Sequence, residues 1–281
     1  MDLSDYINNL EKKAAEQVTV NEVDYIGEDG LLYCGVCRTK KQTRIIFLGE
    51  ERTPYCICRC HIKKREAEEQ KRKELEFSKK VTNLRNAAFP DSIMRSWSFD
   101  NDDGSNKRII DAAHKYADNF DEMRKNGKGL LLFGPVGTGK TYAAACIANA
   151  LVDKGYSVLM TNFTRIANTA FGMYEGKQRY YDDLNKYSLL VLDDLCAERK
   201  TEAMQETVYH VIDARYRSGL PLIVTTNLTE RQLKYPNDMC YQRIFSRLYE
   251  MCLPIEVTTD DDKRIDKLEL FASSMREQLG L

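Results

Sequence analysis

The octapeptide GPVGTGKT, residues 134–141, matches the P-loop pattern G-x-x-x-x-G-K-[ST] at every fixed position. It follows an apolar run of strand length, residues 129–133, and leads into a helical pattern at residues 140–153. Glycines in such a loop let backbone N–H groups turn toward phosphate oxygens, and the following helix adds the positive end of its dipole. The segment therefore predicts a nucleotide-phosphate site on a strand–loop–helix unit.

The residues of this loop have distinct expected roles in binding ATP and Mg²⁺. Lys140 is expected to neutralise the β and γ phosphates, and Thr141 to offer its hydroxyl to Mg²⁺. The loop predicted to bind the phosphates comprises Gly134, Pro135, Val136, Gly137, Thr138 and Gly139, and all of these residues except Pro135 have a backbone N–H group that can face a phosphate oxygen. An ordinary turn is the alternative interpretation, which the flanking strand and helix patterns disfavour.

Apolar runs of strand length alternate with helical patterns around this loop. The predicted strands are residues 129–133, 157–160, 189–192, 222–226 and 253–257, and the predicted helices are residues 106–126, 140–153, 163–185, 200–218 and 261–279. Parallel strands need crossover connections, so this alternation indicates a parallel sheet covered by helices. We predict an α/β fold of the P-loop type, built as a three-layer sandwich.

Polar side chains follow two of the predicted strands, where ligands of parallel sheets bind. In SLLVLDDL, residues 188–195, Asp193 is predicted to hold Mg²⁺ and Asp194 to polarise the attacking water. Asn227 follows the strand at residues 222–226 and is predicted to reach the γ phosphate or the water. A turn or helix cap is the alternative for Asp194, and a helix cap is the alternative for Asn227.

Five of the nine cysteines crowd into residues 34–60. Cys34-x-x-Cys37, followed by Cys58-x-Cys60, supplies four thiolates, enough for a closed tetrahedral Zn²⁺ site. Cys56 or His61 could replace one ligand of the second pair. The alternative is a set of buried free thiols, which would leave five reactive cysteines close together.

Charge and composition divide the chain of 281 residues into three parts. Residues 1–60 are predicted to form an amphipathic helix, over residues 3–18, and the zinc module; residues 61–85 form a charged helical linker, and residues 86–281 the ATPase domain. Acidic residues predominate before residue 34, and basic residues from there to residue 80. No apolar run approaches the roughly 20 residues that span a bilayer, so we expect a cytoplasmic protein without a membrane contact.

The order GPVGTGKT, LLVLDD, TTN and the basic helix RIFSRL resembles the AAA+ helicase-loader ATPases of the DnaC and DnaI type, and the related transposition helper IstB, over residues 97–270. The resemblance implies that Arg247, with Arg243 one turn earlier, reaches ATP held by the adjacent subunit of a head-to-tail assembly. Arg264 corresponds most closely to the family's sensor arginine, although three aspartates stand where the family has a small residue. Such an arrangement implies weak hydrolysis by an isolated subunit.

The resemblance also extends to the segments that flank these motifs. Loader-like proteins have a Cys-x-Cys that leads directly into a basic helix, which favours Cys58 and Cys60 over Cys56. Trp97 and Phe99 resemble an aromatic segment beside the nucleotide base, with core packing as the alternative. Residues 162–184 contain both basic and aromatic side chains, a combination found in protein grooves that bind single-stranded DNA. The resemblance to loaders implies that this region binds single-stranded DNA.

Two functions follow from this resemblance. The first is an ATP-hydrolysing helicase loader whose amino-terminal module binds a replicative DNA helicase and helps to place it on single-stranded DNA. The second is an IstB-like transposition helper or nucleotide-gated adaptor, in which ATP controls assembly and the partner is a transposase. The amino-terminal zinc module favours the first.

Overall fold

The computed structural model describes residues 12, 13, 16, 18, 20–47, 49–104, 106–196, 201–258 and 275. The chain forms two compact units, Met1–Ser78 and Lys79–Leu281. The helix predicted over residues 3–18 falls largely, and the helix predicted over residues 261–279 almost entirely, outside the described residues. The domain boundaries predicted at residues 60 and 85 stay a prediction. Among the described helices, none has the length and apolar character that crossing a membrane requires.

The first unit contains two short antiparallel hairpins and the start of a long helix. Strands β1 (Tyr25–Ile26) and β2 (Leu32–Tyr33) pair, as do β3 (Ile45–Phe47) and β4 (Glu50–Arg52). Helix α1 (Arg59–Ala88) begins one residue after Cys58 and covers the predicted linker. The hairpins were not predicted, because strands of two or three residues are too short to show an alternating pattern.

The second unit is built on a five-stranded parallel sheet, as the sequence predicted. Its strands are β5 (Gly129–Phe133), β6 (Val158–Asn162), β7 (Leu189–Leu195), β8 (Leu222–Thr226) and β9 (Cys252–Glu256), in the order β6-β7-β8-β5-β9. The helices are α2 (Lys107–Asp118), α3 (Phe120–Lys125), α4 (Lys140–Asp153), α5 (Phe163–Phe171), α6 (Lys177–Asp183), α7 (Glu202–Ser218), α8 (Glu230–Lys234) and α9 (Met239–Met251). Short 3-10 helices lie at Ser92–Ser96, Phe99–Asn101 and Leu184–Lys186.

The inner strands of this sheet are buried on both faces. Leu131 and Phe133 of β5 enter one apolar core together with Leu190 of β7. Leu130 and Leu132 of β5 enter a second core on the opposite face. Successive side chains of a strand point to opposite faces, so an unbroken apolar strand needs cover on both sides. The predicted three-layer α/β sandwich is confirmed.

Two predicted helices are each divided in the structure. The helix predicted over residues 106–126 breaks at Asn119, whose side-chain amide donates to the Lys115 carbonyl at 2.8 Å and so competes with the helical pattern. The helix predicted over residues 163–185 breaks between Gly172 and Gly176, and Gly176 has a φ of 87°. Glycine reaches that conformation at little cost, and Gly176 directly precedes the first residue of the second helix.

Candidate functional site

The P-loop joins β5 to α4, and its glycines have conformations that other residues avoid. Gly137 and Gly139 have φ angles of 83° and 92°. Gly134 has a φ of 134°, and a Cβ atom there would lie 2.5 Å from the carbonyl oxygen of Val257. A side chain at Gly134 would collide with the backbone beyond β9. The glycines therefore keep backbone amides accessible at the amino terminus of α4.

Lys140 is buried at the base of this loop, with 5% of its surface exposed. Its Nζ donates to the carbonyl oxygens of Gly134 at 2.9 Å and Pro135 at 2.5 Å. The ammonium group is thus held inside the curve of the loop, next to the amides that would face phosphate oxygens. The positive charge of Lys140 therefore lies at the base of the loop that the sequence predicts to bind phosphates.

Asp193 connects three parts of the site. Its Oδ1 accepts hydrogen bonds from the Thr141 hydroxyl at 2.9 Å and the Thr225 hydroxyl at 2.6 Å. Burial raises the pKa of Asp193, and the bond from Thr225 acts in the opposite direction. The structure thus brings together the hydroxyl and carboxylate that the sequence assigned to Mg²⁺, and oxygen ligands of these kinds suit that ion.

Asp194 lies where the pairing between β7 and β8 shifts register, between Leu192 and Leu195. Its φ is 56°, and its backbone N–H donates to the Thr225 hydroxyl at 2.9 Å. A bulge of this kind redirects a side chain at the end of a strand. Asp194 is exposed and, with Asn227, lines the same cleft as the P-loop.

This cleft has a volume of about 400 Å³, and several of its lining residues were not singled out in the sequence analysis. Those residues are Asn101, Asp102, Asp103 and Tyr142. The position of Tyr142 directly after the P-loop threonine was a signal that could have identified it.

Trp97 lines the cleft, and both Trp97 and Phe99 are partly buried against the second core of the sheet. The rings of Trp97 and Tyr142 lie 5.6 Å apart, and the Tyr142 hydroxyl donates to the Ser98 carbonyl at 2.7 Å. The Asn149 side chain in α4 donates to the Trp97 carbonyl at 2.9 Å. These contacts attach the segment around Trp97 to the helix that follows the P-loop. Phe99 instead lies against His114, with the rings 4.9 Å apart.

Neither Arg243 nor Arg247 lines this cleft in the same chain. Both lie on α9, which packs against α7. Arg243 is exposed, while Arg247 forms an ion pair with Asp213 at 2.9 Å. Arg264 lies outside the described residues.

The region predicted to contact single-stranded DNA is divided between core and surface. Tyr181 is buried and stacks on His210, so it belongs to the core. Phe171 and Tyr174 are exposed, and the Lys177 ammonium lies 5.7 Å from the centre of the Phe171 ring. Exposed aromatic rings next to a positively charged side chain are the kind of surface on which the nucleobases of a single strand stack.

The four cysteines named from the sequence lie together in the first unit. Their sulfur atoms all lie within 4.8 Å of one another, with Cys58 and Cys60 3.4 Å apart and Cys34 and Cys60 3.6 Å apart. Zn–S bonds of about 2.3 Å in a tetrahedron put sulfurs roughly 3.8 Å apart, so Cys34, Cys37, Cys58 and Cys60 fit a zinc ion. Cys56 is not in this group, since its sulfur contacts the Lys40 carbonyl.

The crowding of these thiols is itself consistent with a cation. Two of these thiols have pKa values that move in opposite directions: the hydrogen bond with the Thr39 hydroxyl lowers the pKa of Cys37 to about 5, and the hydrogen bond with Cys58 raises the pKa of Cys60 to about 12. Ionising a thiol beside other sulfurs is unfavourable unless a positive ion joins them. The donor set therefore has the chemistry of a thiolate metal site.

Asp24 supports the turn of the Cys34–Cys37 pair. Its carboxylate accepts from the Gly35 backbone N–H at 3.1 Å and from the Lys41 ammonium at 2.6 Å. The hydrogen bond from Lys41 is the largest cause that lowers the pKa of Asp24 to about 2. A Cβ atom at Gly35 would lie 1.9 Å from the Val23 carbonyl oxygen, so the turn requires glycine. The sequence analysis did not identify Asp24 or Lys41.

Comparison with known proteins shows which family the chain is similar to. The family model described as IstB-like ATP binding protein matches residues 61–268. An insertion-sequence ATP-binding protein of Sinorhizobium fredii is 28% identical over 156 residues, which cover 53% of this chain and 51% of that protein. The replicative helicase loader DnaI of Bacillus subtilis is 27% identical over 171 residues, which cover 58% of this chain and 54% of that protein.

A solved structure is similar as well. A crystal structure of DnaI has a TM-score of 0.51 and 25% sequence identity, and the match covers 64% of this chain and 98% of that one. This similarity confirms the predicted AAA+ fold. The chain spans about half the length of the two curated relatives described above. Because the family model covers most of the chain, the protein belongs to the IstB-like ATP-binding family.

Proposed function

From this family membership, we propose that the protein is an ATP-hydrolysing helicase loader, which assembles on a replicative DNA helicase and helps to place it on single-stranded DNA. The observation that carries the ATPase part is the contact of Thr141 and Asp193 beside the P-loop. Support for the loader part comes from the relative that is named a replicative helicase loader. We assign the contact with the helicase to the first unit, in which four cysteines lie close together.

We assign the steps of hydrolysis to the residues of the cleft. Mg²⁺ would be held by Thr141 and Asp193 and would neutralise charge on the β and γ phosphates. Lys140 would bind the same phosphates, and Asp194 would accept hydrogen bonds from the attacking water. Asn227 would orient that water or the γ phosphate from the end of β8.

The remaining arginines are proposed to act between subunits or at the end of the domain. In a head-to-tail assembly, α9 of one subunit would present Arg247 to ATP in the next, with Arg243 nearby. Arg264 is proposed as a sensor of the bound nucleotide. Because one chain would lack the arginine that its own cleft needs, hydrolysis by an isolated subunit should be weak.

We propose that zinc, held by Cys34, Cys37, Cys58 and Cys60, organises the module that binds the helicase. Four thiolates leave no open position on the ion, so the metal would be structural. Single-stranded DNA would contact the exposed part of residues 162–184, where Phe171, Tyr174 and Lys177 meet solvent. Tyr181 is excluded from this surface because it is buried.

A second candidate function is that of a transposition helper. It is favoured by the family model itself and by the relative from an insertion sequence. The nucleotide chemistry would be the same in both functions, and only the partner would differ.

One experiment separates these two functions. The purified chain would be mixed in turn with the replicative helicase of its host and with a transposase encoded near its gene, each with ATP or ADP, and the masses of the complexes measured. The loader proposal expects an ATP-dependent complex with the helicase, which the variant Lys140→Ala does not form. A complex with the transposase alone would replace the loader by the transposition helper.

A further inference from the structure

Asp213 occupies a central position between α7 and α9. It lies on the second half of α7, with 17% of its side chain exposed. Its Oδ1 atom is 2.9 Å from Nη2 of Arg247, and its Oδ2 atom is 3.0 Å from Nε of Arg217. One carboxylate therefore contacts two arginines, of which only Arg247 lies on the neighbouring helix.

Arg247 is held on several sides at this position. Besides the ion pair with Asp213, its Nη2 donates to the Tyr209 hydroxyl at 3.2 Å, and its Nη1 donates to the Arg243 carbonyl at 3.4 Å. The guanidinium carbon lies 4.9 Å from the Tyr209 ring centre and 5.8 Å from the Tyr216 ring centre. Carboxylate and aromatic faces are the groups that orient a guanidinium plane.

Arg247 is more enclosed than the other arginine that contacts Asp213. Only 24% of the Arg247 side chain is exposed, whereas the Arg217 side chain, which contacts the same carboxylate, is 62% exposed. A long side chain loses rotamer freedom when it is held. If Arg247 acts on the neighbouring subunit, its order before assembly removes that entropic cost from the step in which the subunits meet.

We propose that Asp213 is a positioning residue, which holds the Arg247 guanidinium in the orientation needed at the ATP site of the next subunit. This inference rests on the proposed function, in which Arg247 acts between subunits. The rings of Tyr209 and Tyr216 pack against the Arg247 guanidinium, and Asp213 provides the negative charge that pairs with it. Asp213 would contact neither ATP nor the attacking water.

The test uses Asp213→Asn in the full-length chain, because asparagine keeps the size of the side chain and removes its charge. ATP hydrolysis would be measured with a single-stranded thymidine homopolymer over a range of protein concentrations, and ATP binding separately. A misplaced catalytic group costs about 10²-fold in rate, so we expect a loss of that order in hydrolysis with unchanged ATP affinity. The matched control is Arg217→Gln, which removes the other cation of the same carboxylate and should keep wild-type hydrolysis.

Mixing experiments then identify the subunit in which Asp213 acts. An Asp194→Asn subunit has a defective cleft but an intact arginine, so it should restore hydrolysis to an Asp213→Asn subunit, whose own cleft is intact. An Arg247→Ala subunit should not restore it, because neither subunit then supplies a well-placed arginine. Co-assembly would be verified by mass, and folding by thermal unfolding.

The other outcomes contradict the proposal in different ways. Wild-type hydrolysis by Asp213→Asn would show that Arg247 does not need the carboxylate. Rescue by Arg247→Ala would put Asp213 in its own cleft, and absence of rescue by either partner would make its role structural. If Arg247→Ala and Asp194→Asn fail to rescue each other although they co-assemble, the proposed function itself loses its arrangement between subunits. That result is distinct from a failure of Asp213 alone.

Discussion

The first unit, which holds the cluster of four cysteines, and the P-loop unit bury different kinds of side chain. In the P-loop unit, two cores of apolar side chains cover both faces of the sheet, and Leu131, Leu132 and Leu190 have no exposed surface. The first unit has hairpins of two or three residues per strand, and Ile45, Ile46 and Phe47 of β3 are exposed. Its described buried residues include two thiols, Cys34 and Cys58, and one ammonium group, Lys41.

This difference has a consequence for how each unit responds to a single substitution. Burial of apolar surface is distributed over many side chains, so loss of one contact removes a small share of the total. A small module with few apolar residues depends on a metal site, where each ligand is essential. We therefore expect the effects of substitution to be concentrated in a few residues of the module and distributed in the P-loop unit.

The largest effect is expected for Cys34→Ser. Structural zinc contributes an apparent free energy of about 10 to 16 kcal/mol to small modules, so this variant should lose its zinc and the fold of the first unit. Zinc in the purified protein would be measured by metal analysis, and exposure of the module by limited proteolysis. Trp97 is the single tryptophan of the chain and lies in the P-loop unit, so its fluorescence should show an unchanged unfolding transition there.

The matched control is Cys56→Ser, which replaces a neighbouring cysteine outside the group of four. It should keep one zinc per chain and the wild-type proteolysis pattern. Loss of zinc from Cys56→Ser but not from Cys34→Ser would show that the ligand set is wrong.

The two units also differ in how far their sequences predict them. Strands Gly129–Phe133 and Leu222–Thr226 have the bounds predicted for them, because an unbroken apolar run is a local signal. Helix α4 likewise spans residues 140–153, as predicted. The hairpins of the first unit were missed, because strands of two or three residues are too short to show an alternating pattern.

The candidate site also has features that the sequence predicts and features that it does not. The contact between Thr141 and Asp193 could be anticipated because both belong to motifs at the same edge of a parallel sheet. The sequence could not predict the bulge at Asp194 or the ion pair between Asp213 and Arg247. Each depends on the register of two strands or the packing of two helices, and these are set by the whole core.

A smaller loss of stability is expected when Arg215 is substituted. This charged residue of the P-loop unit has no exposed surface. Its guanidinium donates to the carbonyl oxygens of Tyr187, Ser188 and Pro221, and burial lowers its pKa to about 10. Arg215→Met keeps the apolar part of the side chain but leaves buried carbonyls unpaired, at about 1 to 3 kcal/mol each. We expect a loss of about 3 kcal/mol or more in the free energy of unfolding, measured by urea denaturation with Trp97 fluorescence.

The exposed Arg217, two residues later, is the control for that substitution. Arg217→Met should change the free energy of unfolding by less than about 1 kcal/mol, because exposed ion pairs contribute little. Equal losses in both variants would mean that the buried carbonyls do not determine the effect. A loss at Arg215 as large as the effect of removing zinc would erase the contrast between the two units.

The affinity for ATP should depend strongly on Lys140, although the stability of the P-loop unit is distributed over many residues. Lys140→Ala removes the ammonium group that lies inside the loop. A charge-assisted hydrogen bond contributes about 1.5 to 3 kcal/mol, so the affinity for ATP should fall about 10- to 100-fold, measured by calorimetry. The control is Lys154→Ala at the other end of α4, which should bind ATP normally. Equal affinity in both variants would remove Lys140 from the phosphate site.

The smallest effect is expected at the beginning of α8, where one hydroxyl closes a capping box. The Thr229 Oγ1 accepts from the Gln232 backbone N–H at 3.3 Å, and the Gln232 side chain accepts from the Thr229 backbone N–H at 2.9 Å. Thr229→Ala removes the first bond, and loss of an N-cap typically costs about 1 kcal/mol. Urea denaturation followed by Trp97 fluorescence should detect this change, and zinc content should stay at the wild-type value.

Thr229→Ser keeps the hydroxyl and should restore most of the lost stability, because the cap depends on the oxygen rather than on the methyl group. If Thr229→Ser were as unstable as Thr229→Ala, the capping bond would not be the cause, and packing of the methyl group would explain the loss instead.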